Sequence, residues 1–473
     1  MARLSDRSLG PEAWGLAVGP NRSLYVAGCG TVELARVYGT PLHVVNRPGL
    51  EAAASSFQDA FRTACPFPVR VHYAYKCNSV PAVAAALKRA GLHAEVMSSY
   101  ELRLALELGH NGDAIVVNGP YKPEPFLRDC LNARVRYIVA DSVEELRLID
   151  HVARDQGQKA DVLLRMNPDY TPHRMNQGSA AASRKGCAFG LDLAGGEADQ
   201  ALKELPGMAG VTCRGFHIHI GTGIEQPSDY RRALGRLRNL VQSYHAKGVP
   251  VTTVDVGGGF AAGTTREMST LEMLLYQGIG LLPETARNGQ RPTIHDFAQA
   301  VAAGIAELYP DRAWPEVIVE PGRSIASSCQ FLLLTVHAVK ERPGIGKWLI
   351  TDGGLGTVTM PTFYECHEVL LCNDPARPRT EKVTIIGPVC FAGDVVYRNK
   401  PMPAVKPGEV LALMDTGAYF TALESSFGFP RPALAFADSG RHRLVRRRES
   451  FVDMVSRDSM ESLKQEEKSI EKE

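Results

Sequence analysis

What most restricts the fold of this chain is a recurrence. From Pro41 onward, short apolar runs alternate with helix-length amphipathic segments. Strand candidates stand at 42–46, 69–75, 94–97, 114–118, 137–140, 162–166, 215–220, 253–256 and 317–320, with helix candidates such as 81–91, 100–109, 142–156 and 228–247 between them. Setting 42–46 aside as a lead-in leaves eight strand-then-helix units, the signature of a closed parallel (β/α)8 barrel in the α/β class. The stretch from Phe260 to Trp314 is longer than one unit needs and reads as an insertion on the last strand-to-helix connection. After Ser324 the texture changes: 331–339, 347–351, 383–386 and 409–414 alternate with Gly, Pro and Asp turns and have few helical patterns between them. That is the mark of a separate, mainly antiparallel β domain. The expected division is an N-terminal segment 1–40, a barrel 41–323, a β domain 324–456 and a charged tail 457–473 that frays or is disordered.

Composition excludes several functions. The net charge of +1, with both signs mixed along the 473 residues, provides no basic face for nucleic acid. The short run Arg446-Arg447-Arg448 reads as solvated surface. Ten scattered cysteines without a Cys-x-x-Cys pair argue against a disulfide scaffold and for a reducing compartment. The N-terminus lacks the apolar core of a signal peptide, and no run approaches a membrane span. The expected location is the cytoplasm, without membrane or nucleic-acid partners.

Barrels of this kind work at the C-terminal ends of their strands, and the residues there carry chemistry. Strand 69–75 ends on Lys76, which either snorkels to water or acts as an amine whose pKa burial lowers. Strand 215–220 carries His217 and His219, strand 253–256 runs into Gly257-Gly258-Gly259, and strand 317–320 ends in Glu320-Pro-Gly-Arg323. Three glycines after a strand leave N–H groups open to wrap an anion, with Arg323 near enough to add a charged contact. An amine, a phosphate cradle, a carboxylate and a flat ring together describe a pyridoxal phosphate site. Other readings remain. The glycines could form a dinucleotide loop, although no helix pattern follows directly. The two histidines could bind zinc, but further ligands at other strand ends are not evident, so no metal is expected. Glu320 could simply pair with Arg323 in the core.

Assembled in order, these motifs resemble the fold type III pyridoxal phosphate enzymes, the diaminopimelate and ornithine decarboxylase group. The resemblance runs from about residue 40 to 440 through Tyr73-Ala-Tyr-Lys-Cys-Asn78, His217-Ile-His-Ile-Gly-Thr-Gly223, Asp255-Val-Gly-Gly-Gly-Phe260, Glu320-Pro-Gly-Arg323, Gly387-Pro-Val-Cys390 with Asp394, and Gly417-Ala-Tyr419. It implies an alanine racemase-like barrel, with the N-terminal segment joining the β domain. It implies that Lys76 carries the cofactor, that His219 stacks on its ring, and that Glu320 contacts the pyridine nitrogen. Thr222, Gly257, Gly258, Gly259, Arg323 and Tyr419 would then hold the phosphate. Cys390 would be the proton donor, supplied by the second subunit of a head-to-tail homodimer, unless it is an inert buried thiol. A glutamate at the pyridine nitrogen favours decarboxylation over racemisation, because a protonated ring withdraws electrons more strongly.

The departures bear on substrate. The family's diaminopimelate enzymes usually have Cys-Glu-Ser where this chain has Cys390-Phe391-Ala392, and an arginine where it has Met360 before Pro-Thr-Phe-Tyr364. Losing both charged contacts would leave a zwitterionic end unpaired. The sequence therefore predicts decarboxylation of an L-amino acid or conjugate, free or carrier-linked, other than meso-diaminopimelate. Tyr364, Glu365, Phe391, Asp394 and Met360 are the expected substrate contacts. A catalytically silent homologue that binds a partner, or a racemase, is the alternative. The residue before Phe189-Gly190 is Ala188 with Cys187 ahead of it, where the family usually has a basic residue.

Overall fold

The computed structural model describes residues 9–173, 175, 182–184, 186–283, 291–358 and 361–459. Eight parallel strands close into a barrel: β1 Val69–Ala74, β2 His93–Val96, β3 Ile115–Val117, β4 Tyr137–Ala140, β5 Ala160–Asn167, β6 Val211–His217, β7 Thr253–Asp255 and β8 Glu316–Val319. Closure comes from β8 pairing with β1, Val317 opposite Val69. Side chains alternate across each strand, and β8 shows the result. Val317 and Val319 face out into the large core beneath the helices, while Ile318 faces in and packs with Val116, Tyr137, Val139 and Leu163 as an apolar plug. Glu316 and Glu320 share the inward register, one on either side of that plug. The surrounding helices begin on caps written in the sequence: Asn46, Ser98 and Ser142 each accept an N–H from three residues on.

Two expectations are corrected. Strand Leu42–Asn46 is not part of the barrel: it pairs antiparallel with Gln330–Arg342 and parallel with Ala433–Asp438, inside the β domain. A fully buried five-residue strand needs neighbours on both edges, which a barrel closed without it cannot offer. The stretch 261–313 is not one insertion either. Helix Ile294–Leu308 packs against Ser228–Gly235 and Arg47–Ala64 as a regular member of the outer ring. What departs from the pattern is the part before it, in which Arg266–Glu267 pairs with Glu365–Cys366 and Tyr276 is buried among Val336, Leu349 and Tyr397. The apolar face of this segment finds its partner in the β domain rather than on the barrel.

The β domain is built on the long strand Gln330–Arg342, paired antiparallel with Gly346–Thr351, Val410–Leu413 and Leu42–Asn46. The N-terminal strands Leu16–Val18 and Leu24–Val26 share a core with it, and Trp14 Nε1 donates to Asp415 at 2.9 Å. All ten cysteines are free. Among the described residues no helix is long and apolar enough to cross a membrane. Most of the charged tail, from residue 460, lies outside the described residues.

Candidate active site

Lys76 sits in a one-turn helix just past β1. Its Nζ lies 2.5 Å from Glu95 Oε2 at the end of β2. Asn118, just past β3, donates to Glu95 Oε1 at 3.0 Å and to Glu320 Oε1 at 2.6 Å. Glu320 Oε2 stands 3.5 Å from His217 Nε2. Five strand ends thus contribute to one buried polar chain across the barrel mouth, completed by Asp255, whose carboxylate lies within 4.8 Å of ligand atoms of both His217 and Glu320. By distance alone these three could ligate a cation. The Asn118 amide and the Lys76 ammonium already give the cluster a donor and a positive charge without one.

The electrostatics differ from the sequence expectation for Lys76. Burial does push its pKa down, but Glu95 and then Glu320 outweigh it and hold the ammonium above its ordinary range. Burial raises Glu95 itself, against the pull of Lys76. Burial also opposes ionisation of Glu320, yet His217 and Lys76 prevail and hold it well below the usual carboxylate range. Asp255 is driven far up, by burial first and by Glu320 next. Of two neighbouring acids, Asp255 keeps the proton and Glu320 the charge.

The loops after β6 and β7 form the second part of the site. Burial, with Arg165 and Lys76 nearby, lowers His219 to about 3, so its ring is neutral. The N–H of Gly258 points at His219 Nδ1, 3.3 Å away, which fixes the plane of that ring. The glycines are required here. A Cβ at Gly257 would meet the Ile218 carbonyl at 2.5 Å, at Gly258 the Glu320 carbonyl at 2.3 Å, and at Gly259 the Gly221 carbonyl at 2.1 Å. Gly257 and Gly259 also have φ of +65° and +95°. Thr222 is half-buried beside them.

The third part comes from the β domain. Tyr419, at φ +69°, donates its N–H to the Cys77 carbonyl at 2.7 Å, and the Arg323 guanidinium lies 5.2 Å from its ring centre. Arg323 does not pair with Glu320. Its Nη2 is 2.7 Å from Glu365 Oε1, an ion pair not aligned as a hydrogen bond, since neither Glu365 Oε1 nor Arg323 Nε has a hydrogen-bond partner. The other Glu365 oxygen meets His367 Nε2 at 3.0 Å. The Arg323 guanidinium thus joins a group with Glu365, Tyr364 and Glu267, whose charges act on one another.

Of the other expected substrate contacts, one is engaged within the fold. Asp394 is buried, with its carboxylate taken by the N–H groups of Leu355 and Val389, so it braces the loop that carries Cys390 rather than facing a ligand. Cys390 and Phe391 are exposed on that loop. Met360 lies outside the described residues. The sequence analysis missed Glu95, Asn118 and Glu267. Glu95 had a signal: it is the one charge in Ala94-Glu95-Val96, an otherwise apolar strand end paired with Ala74, two residues before Lys76.

A parallel barrel with an amine, a buried acid and a glycine cradle at its mouth defines an enzyme that works through a phosphorylated carbonyl cofactor. The family model for the "Pyridoxal-dependent decarboxylase, pyridoxal binding domain" matches residues 50–327. The chain belongs to that family, is a pyridoxal phosphate-dependent amino-acid decarboxylase, and takes a small amino-acid substrate. It is 29% identical to the diaminopimelate decarboxylase of Methanocaldococcus jannaschii over 92% of this chain and 94% of that one. It is 30% identical to the Corynebacterium efficiens enzyme of the same name, over 91% and 90%. The crystal structure of the M. jannaschii enzyme in complex with L-lysine superposes with a TM-score of 0.83 at 28% identity, covering 94% of this chain and 97% of that one.

These relatives overturn the exclusion of diaminopimelate drawn from Phe391 and Met360. The physical error lies in counting two missing charges without counting those that remain: Arg323, Glu365 and Glu267 keep charge beside the site. The residues present fit pyridoxal phosphate. The cradle admits no Cβ, the ring of His219 is flat and neutral, Glu320 is ionised, and buried Asp255 Oδ2 and His217 Nδ1 have no hydrogen-bond partner among the described residues.

Proposed function

We propose that this chain decarboxylates meso-diaminopimelate to L-lysine as a cytoplasmic homodimer. The observation that carries the chemistry is the buried run Lys76–Glu95–Asn118–Glu320, which spans the mouth with a cationic amine at one end and an ionised acid at the other. The substrate is supported by the names of relatives that match nearly the whole chain.

In this reading Lys76 Nζ would hold the cofactor's carbonyl end, with Glu95 orienting that nitrogen. Glu320, whose carboxyl stays ionised with protonated Asp255 beside it, would hold a proton on the cofactor's ring nitrogen. The flat, neutral ring of His219 would pack against the cofactor. Gly259, Thr222 and Tyr419 would offer N–H and O–H groups to the phosphate, while Gly257 and Gly258, whose N–H groups turn to Asp255 and His219, would leave the backbone bare beside it. Bound there, pyridoxal phosphate supplies an electron sink for the pair left at Cα when carbon dioxide departs. The thiol of Cys390 from a second copy returns a proton to Cα; its exposure on a loop pinned by Asp394 suits a group offered to another subunit. Ten free cysteines, nine of them at least partly buried, agree with a reducing compartment.

The test is carbon dioxide release and L-lysine formation from meso-diaminopimelate by the purified holoenzyme, with mass measured by light scattering. Turnover of ornithine or lysine but not diaminopimelate would remove the substrate. A protein that takes up no pyridoxal phosphate would remove the mechanism.

A further inference from the structure

Resting on that reading, we infer that Glu267, beside Arg323, determines specificity: its carboxylate receives the distal ammonium of the substrate.

Glu267 lies in a two-residue strand, directly opposite Glu365. Opposed residues of an antiparallel pair point to one face, so both carboxylates join Arg323. Their circumstances differ. Glu365 has Arg323 on one oxygen and His367 on the other. Among the described residues Glu267 Oε1 is buried with no hydrogen-bond partner, and the adjacent guanidinium of Arg266 is held by Glu272 at 2.8 and 3.0 Å. Glu267 reaches the mouth of the site: its Oε1 comes within 3.2 Å of where a Cβ on Gly223 would stand, and Gly223 follows Thr222 in the loop after His219.

Arg323 beside it is already engaged: its guanidinium pairs with Glu365, and its side chain is only 7% exposed. These residues therefore hold one negative charge more than they pair. The ammonium of an amino-acid end supplies what Glu267 lacks. Burial first, then Glu365, lift Glu267 to about 7, with Arg323 pulling the other way. An arriving ammonium favours the ionised form. This arrangement takes over the recognition that the departure at Phe391 removes.

The experiment compares holoenzyme with Glu267→Gln on meso-diaminopimelate and on D-2-aminopimelate, which keeps the reacting centre and lacks the distal ammonium. The variant is expected to raise KM for diaminopimelate at least tenfold with little change in kcat, and to leave KM for 2-aminopimelate and the cofactor's absorbance unchanged. In the native protein KM for diaminopimelate should rise as pH falls below about 7, because protons compete for the carboxylate; in the variant that limb should vanish. Equal changes for both substrates, or none, would overturn the assignment. Calorimetric binding of L-lysine and of 6-aminohexanoate, which is lysine without the α-ammonium that was distal in the substrate, to both holoproteins keeps the test separate from turnover. A tenfold loss for lysine alone supports the role of Glu267 even if diaminopimelate proves not to be a substrate, and equal affinities refute it even if it is.

Discussion

Two glutamates four residues apart on β8 face the interior of the same barrel and do opposite things. Glu316, at the start of the strand, receives Arg70 Nε at 2.8 Å and Arg136 at 2.7 and 3.1 Å. Glu320, just past its end, has an amide, a histidine and a second acid for neighbours, and shares Lys76 with Glu95. Below the apolar plug, both carboxylate oxygens of Glu316 are engaged by guanidinium groups. Above it, carboxylates outnumber the cations and buried nitrogens and oxygens lack partners. A matched ion pair holds structure; an unmatched set of buried ionisable groups is sustained because a ligand completes it. The same strand thus separates scaffold from chemistry, and position relative to the plug tells them apart.

That contrast can be broken by substitution. The largest effect belongs above the plug: Lys76→Ala should abolish turnover and the visible absorbance of the cofactor, both read on the purified protein, and retention of either would end the proposal. Glu320→Gln should lower kcat about 10²–10³-fold while leaving the thermal melt nearly unchanged, since it relieves a crowded acid cluster. Glu316→Gln should do the reverse. Two arginines lose their shared partner, costing about 1–3 kcal/mol in a thermal or urea melt, with kcat within twofold. If the two variants exchanged phenotypes, the division at the plug would be wrong. Smallest is Asp394→Ala, which unties the Cys390 loop and should reduce kcat severalfold with unchanged absorbance; an effect on KM alone would return Asp394 to the substrate.

Much of the site was legible because it lies at strand ends. Lys76, His219, Gly257, Gly258, Gly259 and Glu320 each close an apolar run, and a barrel gathers such ends at one face. Glu95 and Asn118 escaped because polar residues beside a lysine gain meaning only when strand pairing makes them neighbours. The ion pair of Arg323 with Glu365 had no signal in the sequence, since that partner lies in the other domain. Asp394 looked like a ligand because a buried carboxylate that accepts backbone N–H groups has no pattern in sequence.

What the amino-acid order determined by itself was periodic or local: eight strand-and-helix units, the caps that start the helices, the glycines that bare a backbone, and the lysine that ends the first barrel strand. Tertiary structure alone decided which acid keeps its charge, which arginine faces which carboxylate, and that strand 42–46 and segment 266–276 belong to the second domain. Periodicity follows from the geometry of each residue's own backbone, whereas protonation and pairing follow from desolvation and from charges that only the folded chain brings within a few ångströms.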